Sequence, residues 1–117
     1  MMLTSSGVKV HLAVGITDMR KGLDGLAMLV QDVLEQDPFS GHLFAFRGRK
    51  ASLIKILYWD GTGLCLFSKR LEKGGFLWPM QNAPGGVVKL SSRQLSVLLD
   101  GVDWRAPDQT WRLALAG

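Results

Sequence analysis

With only one cysteine, Cys65, the chain cannot form an internal disulfide. Its only histidines, His11 and His42, add too few ligands for a zinc site, so neither a disulfide framework nor a structural metal is expected. Long apolar runs are also missing. The longest, Leu26 to Val30, is far short of the roughly 20 residues that span a bilayer, which argues against a membrane helix. The opening Met1-Met2-Leu3-Thr4-Ser5-Ser6 has neither a charged leader segment nor an apolar core, so no secretory signal is expected. Repeats, low-complexity tracts and long Pro/Gly linkers are absent too. Together these absences describe a single cytoplasmic domain kept in a reducing environment.

What the chain does contain is an ordinary globular balance. Of its 117 residues, 47% are hydrophobic and 21% charged, which is enough to bury a core. The formal net charge is +4, and its distribution matters more than its size. Between Arg47 and Lys73 seven cations (Arg47, Arg49, Lys50, Lys55, Lys69, Arg70 and Lys73) face only Asp60 and Glu72. The rest of the chain carries seven cations against eight anions, so the positive charge is local.

Hydrophobic periodicity sets the expected elements. Val8, Val10, Leu12 and Val14 alternate with Lys9, His11 and Ala13 as in a half-buried strand ended by Gly15. Thr17 or Asp18 is placed to cap a helix reaching about Gln36, with Leu23, Leu26, Ala27, Val30, Val33 and Leu34 as its apolar stripe. A turn at Asp37–Gly41 leads into a meander. Its strands are His42–Arg47, Ser52–Trp59, Leu64–Arg70 and a short Phe76–Trp78, with a hairpin signal at Asp60-Gly61-Thr62-Gly63. Val87–Leu90 is a further candidate strand. Ser91 or Ser92, with Gln94 placed for a capping box, opens a second helix that Gly101 ends. The expected fold is therefore α+β, a mainly antiparallel sheet (β-meander) with two packed helices. Residues 1–104 form one compact domain and 105–117 a loosely ordered C-terminal tail.

Alternate turns of a meander lie at the same end of the sheet. The Arg47–Lys50 tip should then adjoin the Lys69–Lys73 tip, placing Arg47, Arg49, Lys50, Lys69, Arg70 and Lys73 on one basic rim. An even-numbered Asp60 loop would put Lys55, Trp59 and Arg70 on one face. Cations neutralise phosphates and rings stack on unpaired bases, so this rim is a candidate nucleic-acid surface. Protection of an edge strand by charge, and recognition of an acidic protein, are the competing explanations. Arg20 and Lys21 open the first helix, where backbone amides and cations can hold a phosphate together; otherwise they are solvated turn residues. Trp59, Trp78 and Trp104 are expected in the core, and Trp111 as a partner anchor or a merely exposed ring.

Four blocks carry a family resemblance. They are Thr17-Asp18-Met19-Arg20-Lys21-Gly22-Leu23-Asp24-Gly25-Leu26, Asp37-Pro38-Phe39-Ser40-Gly41-His42-Leu43-Phe44, Trp59-Asp60-Gly61-Thr62-Gly63 with Lys69-Arg70-Leu71-Glu72, and Leu98-Leu99-Asp100-Gly101-Val102-Asp103-Trp104. In order and spacing they resemble the TnpB accessory proteins, second open reading frame products of insertion sequence sixty-six elements, from about Gly7 to Trp104. The resemblance implies a small partner of a separate, larger DDE transposase that does the cutting and joining. The RNA-guided nuclease that shares the name TnpB is a different, several times longer protein.

Catalysis is not expected. Asp18, Asp60, Glu72, Asp100 and Asp103 offer carboxylates for a metal-dependent nuclease, and Glu72-Lys73 suggests a restriction-nuclease core. That core needs its acid and lysine two residues apart on one strand face, whereas here they are adjacent. Turn and cap chemistry accounts for Asp60 and Asp100. No Walker loop, nucleophile elbow or Cys/His pair is present. The expected role is a non-catalytic accessory factor, without cofactor or metal, that binds DNA and the DDE transposase. The alternative is a protein–protein adaptor that docks on the transposase without touching DNA. An exposed edge at Phe76–Trp78 leaves a homo-oligomer open.

Overall fold

The computed structural model describes residues 7–79 and 86–101. Seven elements follow in order: β1 (Val10–Ile16), α1 (Leu23–Asp32), β2 (Leu43–Arg47), β3 (Leu53–Trp59), β4 (Leu64–Arg70), β5 (Val87–Leu90) and α2 (Ser92–Asp100). The strands form one five-stranded sheet in the order β4-β3-β2-β1-β5. This is the expected α+β class. The three-strand meander β2-β3-β4 is antiparallel throughout, with Arg47 opposite Ile54 and Leu53 opposite Arg70. β5 adds to the other side of β1, also antiparallel.

One pairing departs from a meander. β1 and β2 run parallel, Val10 beside Leu43 and Ala13 beside Phe46. Parallel neighbours need a long crossover, and the connection that carries α1 supplies it. Two apolar layers result. Leu26 and Val30 of α1 cover Phe44, Phe46 and Leu57 on one face of the sheet. Leu95 and Leu98 of α2 cover Val10, Leu12, Ala45, Ile54 and Ile56 on the other.

The helix ends correct and support the sequence in turn. α1 starts at Leu23 rather than after Thr17 or Asp18, and its N-cap Gly22 provides no side-chain cap. Asp18 instead accepts from the Arg20 amide at 3.0 Å, closing its own tight turn. The helix also stops short of Gln36. Val33 and Leu34 both donate to the Leu29 carbonyl, at 3.0 and 3.1 Å, and Glu35 then turns into the left-handed region at φ 54°. Consequently Leu23 and Val33, both assigned to the apolar stripe, lie at its ends and are 41% and 63% exposed. α2 begins as expected: Ser91 and Gln94 form a reciprocal capping box and Gly101 ends the helix at φ 68°.

The segment Phe76–Trp78 is not a fourth meander strand. The Phe76 ring is 1% exposed in the core under α2, its amide donates to the Ala51 carbonyl at 2.9 Å, and Trp78 meets it edge-on at 5.6 Å. An aromatic plug removes this segment from the sheet, so it offers no free edge for dimerisation; the sheet edges are β4 and β5. The expected tail 105–117 with Trp111, and the expected core residue Trp104, lie outside the described residues. No helix among the described residues is long and apolar enough to cross a membrane.

Candidate nucleic-acid interface

Strand direction decides which loops meet. Because β1 and β2 are parallel, their C-terminal ends coincide, and the Thr17 amide donates to the Arg47 carbonyl at 2.9 Å. The β2–β3 tip lies at that same end. So does the end of β4, where the Leu71 amide donates to the Ser52 carbonyl at 2.8 Å. The tips that carry Arg49-Lys50 and Arg70-Lys73 are thus neighbours, the juxtaposition the meander implies. Arg20 and Lys21 join them, although the sequence treats them as a separate helix-start feature. Only the parallel β1–β2 pairing brings that third segment to the same end.

The nine candidate cations do not share one environment. Lys55 is part-buried on the α1 face, and its ammonium donates to the carbonyls of Met19 at 2.7 Å and Lys21 at 3.2 Å. It pins the β1–α1 loop. Lys69 lies on the opposite face, because successive strand residues alternate, and donates to the Leu99 carbonyl at 2.7 Å. There it satisfies an orphan carbonyl at the end of α2. Arg47 is half-buried, with its guanidinium 5.2 Å from the centre of the Trp78 ring. Its Nε is buried with no partner among the described residues, and the Trp78 indole N–H donates to the Ala51 carbonyl at 3.1 Å. The even-numbered Asp60–Gly63 loop does put Lys55, Trp59 and Arg70 on one face, as the pairs Lys55–Ser68, Trp59–Leu64 and Leu53–Arg70 show. The six rim cations are therefore at one end of the sheet but split between its faces.

Arg49, Lys50, Arg70 and Lys73 are exposed. Arg20 is exposed too, with its Nε and Nη2 gripping the Asp18 carboxylate at 3.0 and 2.9 Å. The hydrogen bonds from the Arg20 side chain, then from its amide, hold the Asp18 carboxyl at about 2, well below the ordinary carboxylate range. Lys21 is half-buried, its stem against Gly25.

Between the β1–α1 loop and the β2–β3 tip runs an open groove of about 680 Å³. Apolar side chains of Ile16, Met19 and Leu53 line it together with Arg20, Arg49 and Lys50. Gly48 permits this shape, since a Cβ there would sit 2.8 Å from Met19 Cγ. Neither Ile16 nor Met19 is singled out by sequence. Ile16 falls beyond the alternating stretch, past a break in the β1–β2 register, and stands 57% exposed.

The remaining candidates lie elsewhere. The Asp60 carboxylate accepts from the amides of Thr62 and Gly63 at 2.9 and 2.8 Å, and these bonds hold its pKa at about 2. It closes the hairpin at the far end of the sheet from Asp18. Cys65 points its thiol at the same carboxylate, 3.5 Å away, and burial pushes the thiol pKa up. His11 is buried flat against Phe44, 5.3 Å between centroids, and burial lowers its pKa. His42 accepts the Lys9 amide at 3.0 Å through Nδ1. Among the described residues no three His, Cys, Asp or Glu side chains group to hold a metal.

Comparison with known proteins agrees with the resemblance. The family model described as IS66 Orf2 like protein matches residues 8–109. Protein y4hO of Sinorhizobium fredii is 50% identical over 117 residues, the whole of both chains. Protein y4jC of the same organism is 36% identical over 100 residues, 86% of this chain and 84% of the relative. No solved structure matches. A family match over nearly the whole chain, end to end with a relative of equal length, settles the affiliation: this chain belongs to the IS66 Orf2-like family of insertion-sequence-associated accessory proteins.

Proposed function

We propose that the chain is a non-catalytic accessory factor that binds DNA through the basic end of its sheet and helps assemble the transposase–DNA complex of its element in the cytoplasm. One observation carries this. Three loops from separate parts of the sequence converge at one end, and they present Arg20, Arg49, Lys50, Arg70 and Lys73 to solvent. Asp18 and Glu72 are the acids on those loops; Asp18 and Arg20 pair with one another, which leaves Arg49, Lys50, Arg70 and Lys73 as the surplus. The N-terminus of α1 lies at the same end, but Asp24 in its first turn offsets the positive end of its dipole, so the loops carry the charge. Lys55 and Lys69, anchored on backbone carbonyls, shape the surface rather than contact DNA.

The test is fluorescence anisotropy with a labelled duplex. Contact through Arg49, Lys50, Arg70 and Lys73 predicts a log–log salt slope near −3.6, a loss of roughly a hundredfold between 50 and 200 mM salt. Reversing Arg49, Lys50 and Arg70 to Glu should abolish binding. A salt-insensitive affinity, or none at low salt, would reject the proposal. The adaptor alternative draws on Met28 and Val33, which stand 62% and 63% exposed at α1. It predicts transposase capture that tolerates salt and fails when those two residues are changed to Ser.

A further inference from the structure

The basic end is not a uniformly polar surface. Ile16, more than half exposed, opens into a groove with Met19 and Leu53, and the same groove holds Arg20, Arg49 and Lys50. Its volume of about 680 Å³ falls in the range of clefts that enclose small ligands, about 300–1,000 Å³. Asp18, the carboxylate that lines it, is already gripped by Arg20 and so offers little repulsion to an anion. Arg70, directly across from Leu53, continues the cationic lining onto β4.

Apolar lining and cationic flanks ask different things of a ligand. A duplex presents phosphates and base edges but keeps its base faces stacked inside, so it gains nothing from Ile16, Met19 or Leu53. An unpaired strand offers both phosphates and bare base faces. Resting on the DNA-binding reading above, we infer that this groove takes an unpaired nucleic-acid strand, with a base against the Ile16–Met19–Leu53 surface and the adjoining phosphates on Arg49 and Lys50. Electrostatics alone would give the opposite preference, because a single strand releases fewer counterions per contact than a duplex (slopes of about −0.7 against −0.9). A preference for the single strand must therefore come from the apolar lining.

The experiment titrates the full chain with labelled oligothymidylate and with a blunt duplex of equal length, at 50 and 200 mM salt. The single strand should bind more tightly at 200 mM, and Ile16→Ser should cost it about fivefold, the scale of a partly buried Ile side chain, while leaving duplex affinity unchanged. Arg49→Glu with Lys50→Glu should weaken both. Duplex binding equal to or tighter than single-strand binding would overturn the groove inference and leave the DNA-binding proposal standing. A single-strand preference undiminished in Ile16→Ser would equally remove the groove as its seat. Failure of both probes to bind at 50 mM would sink the DNA-binding proposal itself.

Discussion

The ammonium group of Lys55 is committed to two backbone carbonyls, those of Met19 and Lys21, and it is part-buried where it does so. Replacing it with Met keeps the stem but strands both acceptors. Lys55→Met should cost about 1.5–3 kcal/mol in chemical denaturation, the scale of hydrogen bonds to a charged group. Because the β1–α1 loop would then be loose, DNA affinity should fall too, unlike a surface cation change that spares stability. Asp18 makes a second residue-scale prediction. Its carboxyl is depressed to about 2 by Arg20, so its contribution is present above the ordinary carboxylate range and is lost as pH falls toward 2. A carboxyl-carbon NMR titration should find a midpoint near 2, moving back toward 3.8 in Arg20→Ala. An unmoved midpoint in that variant would show that the Arg20 side chain is not the cause.

At the scale of elements, the two ends of α2 allow a clean comparison. Ser91→Ala breaks one half of the capping box with Gln94 and should lower stability by about 1 kcal/mol. Gly101→Ala should cost more, about 2–3 kcal/mol, because it combines a left-handed backbone with a clash. Its backbone sits at φ 68°, and a Cβ there would meet the Leu71 side chain. Thermal melts of the two variants should therefore rank Gly101→Ala well below Ser91→Ala, and the reverse order would contradict this packing. The capping box was legible in sequence because it is a local pattern. The α1 start was not, since Asp18 can cap a helix or close a turn, and Lys55, far along the chain, helps fix the second outcome.

Across the whole molecule, charge is sorted by strand direction. The cationic loops gather at one end of the sheet, while Asp60 closes the hairpin at the other. Lys9, Lys89 and Arg93 are exposed but lie toward that other end. Reversing these three to Glu removes as much net charge as reversing Arg49, Lys50 and Arg70. The first set should leave the salt slope of DNA binding nearly unchanged and the second should collapse it. Equal losses from both sets would mean that DNA senses only net charge and no oriented surface.

Short-range patterning encodes the features that close within a few residues. Alternation marked β1, short apolar runs between turn signals marked β2 to β4, the Asp-Gly signal marked the β3–β4 hairpin but left its loop length open, Ser91 with Gln94 opened α2, and the local surplus of cations between Arg47 and Lys73 was countable. Four spaced blocks were enough for the family. Long-range packing set β1 and β2 parallel, and so brought Arg20 and Lys21 to the β2–β3 tip. It also decided that Phe76 leaves the sheet to fill the core, and that Lys55 and Lys69 turn inward to carbonyls while Arg70 stays outside. The physical reason is range. Caps and turns are satisfied within a few residues, whereas a lysine's partner or an isoleucine's exposure depends on what distant segments bring to it.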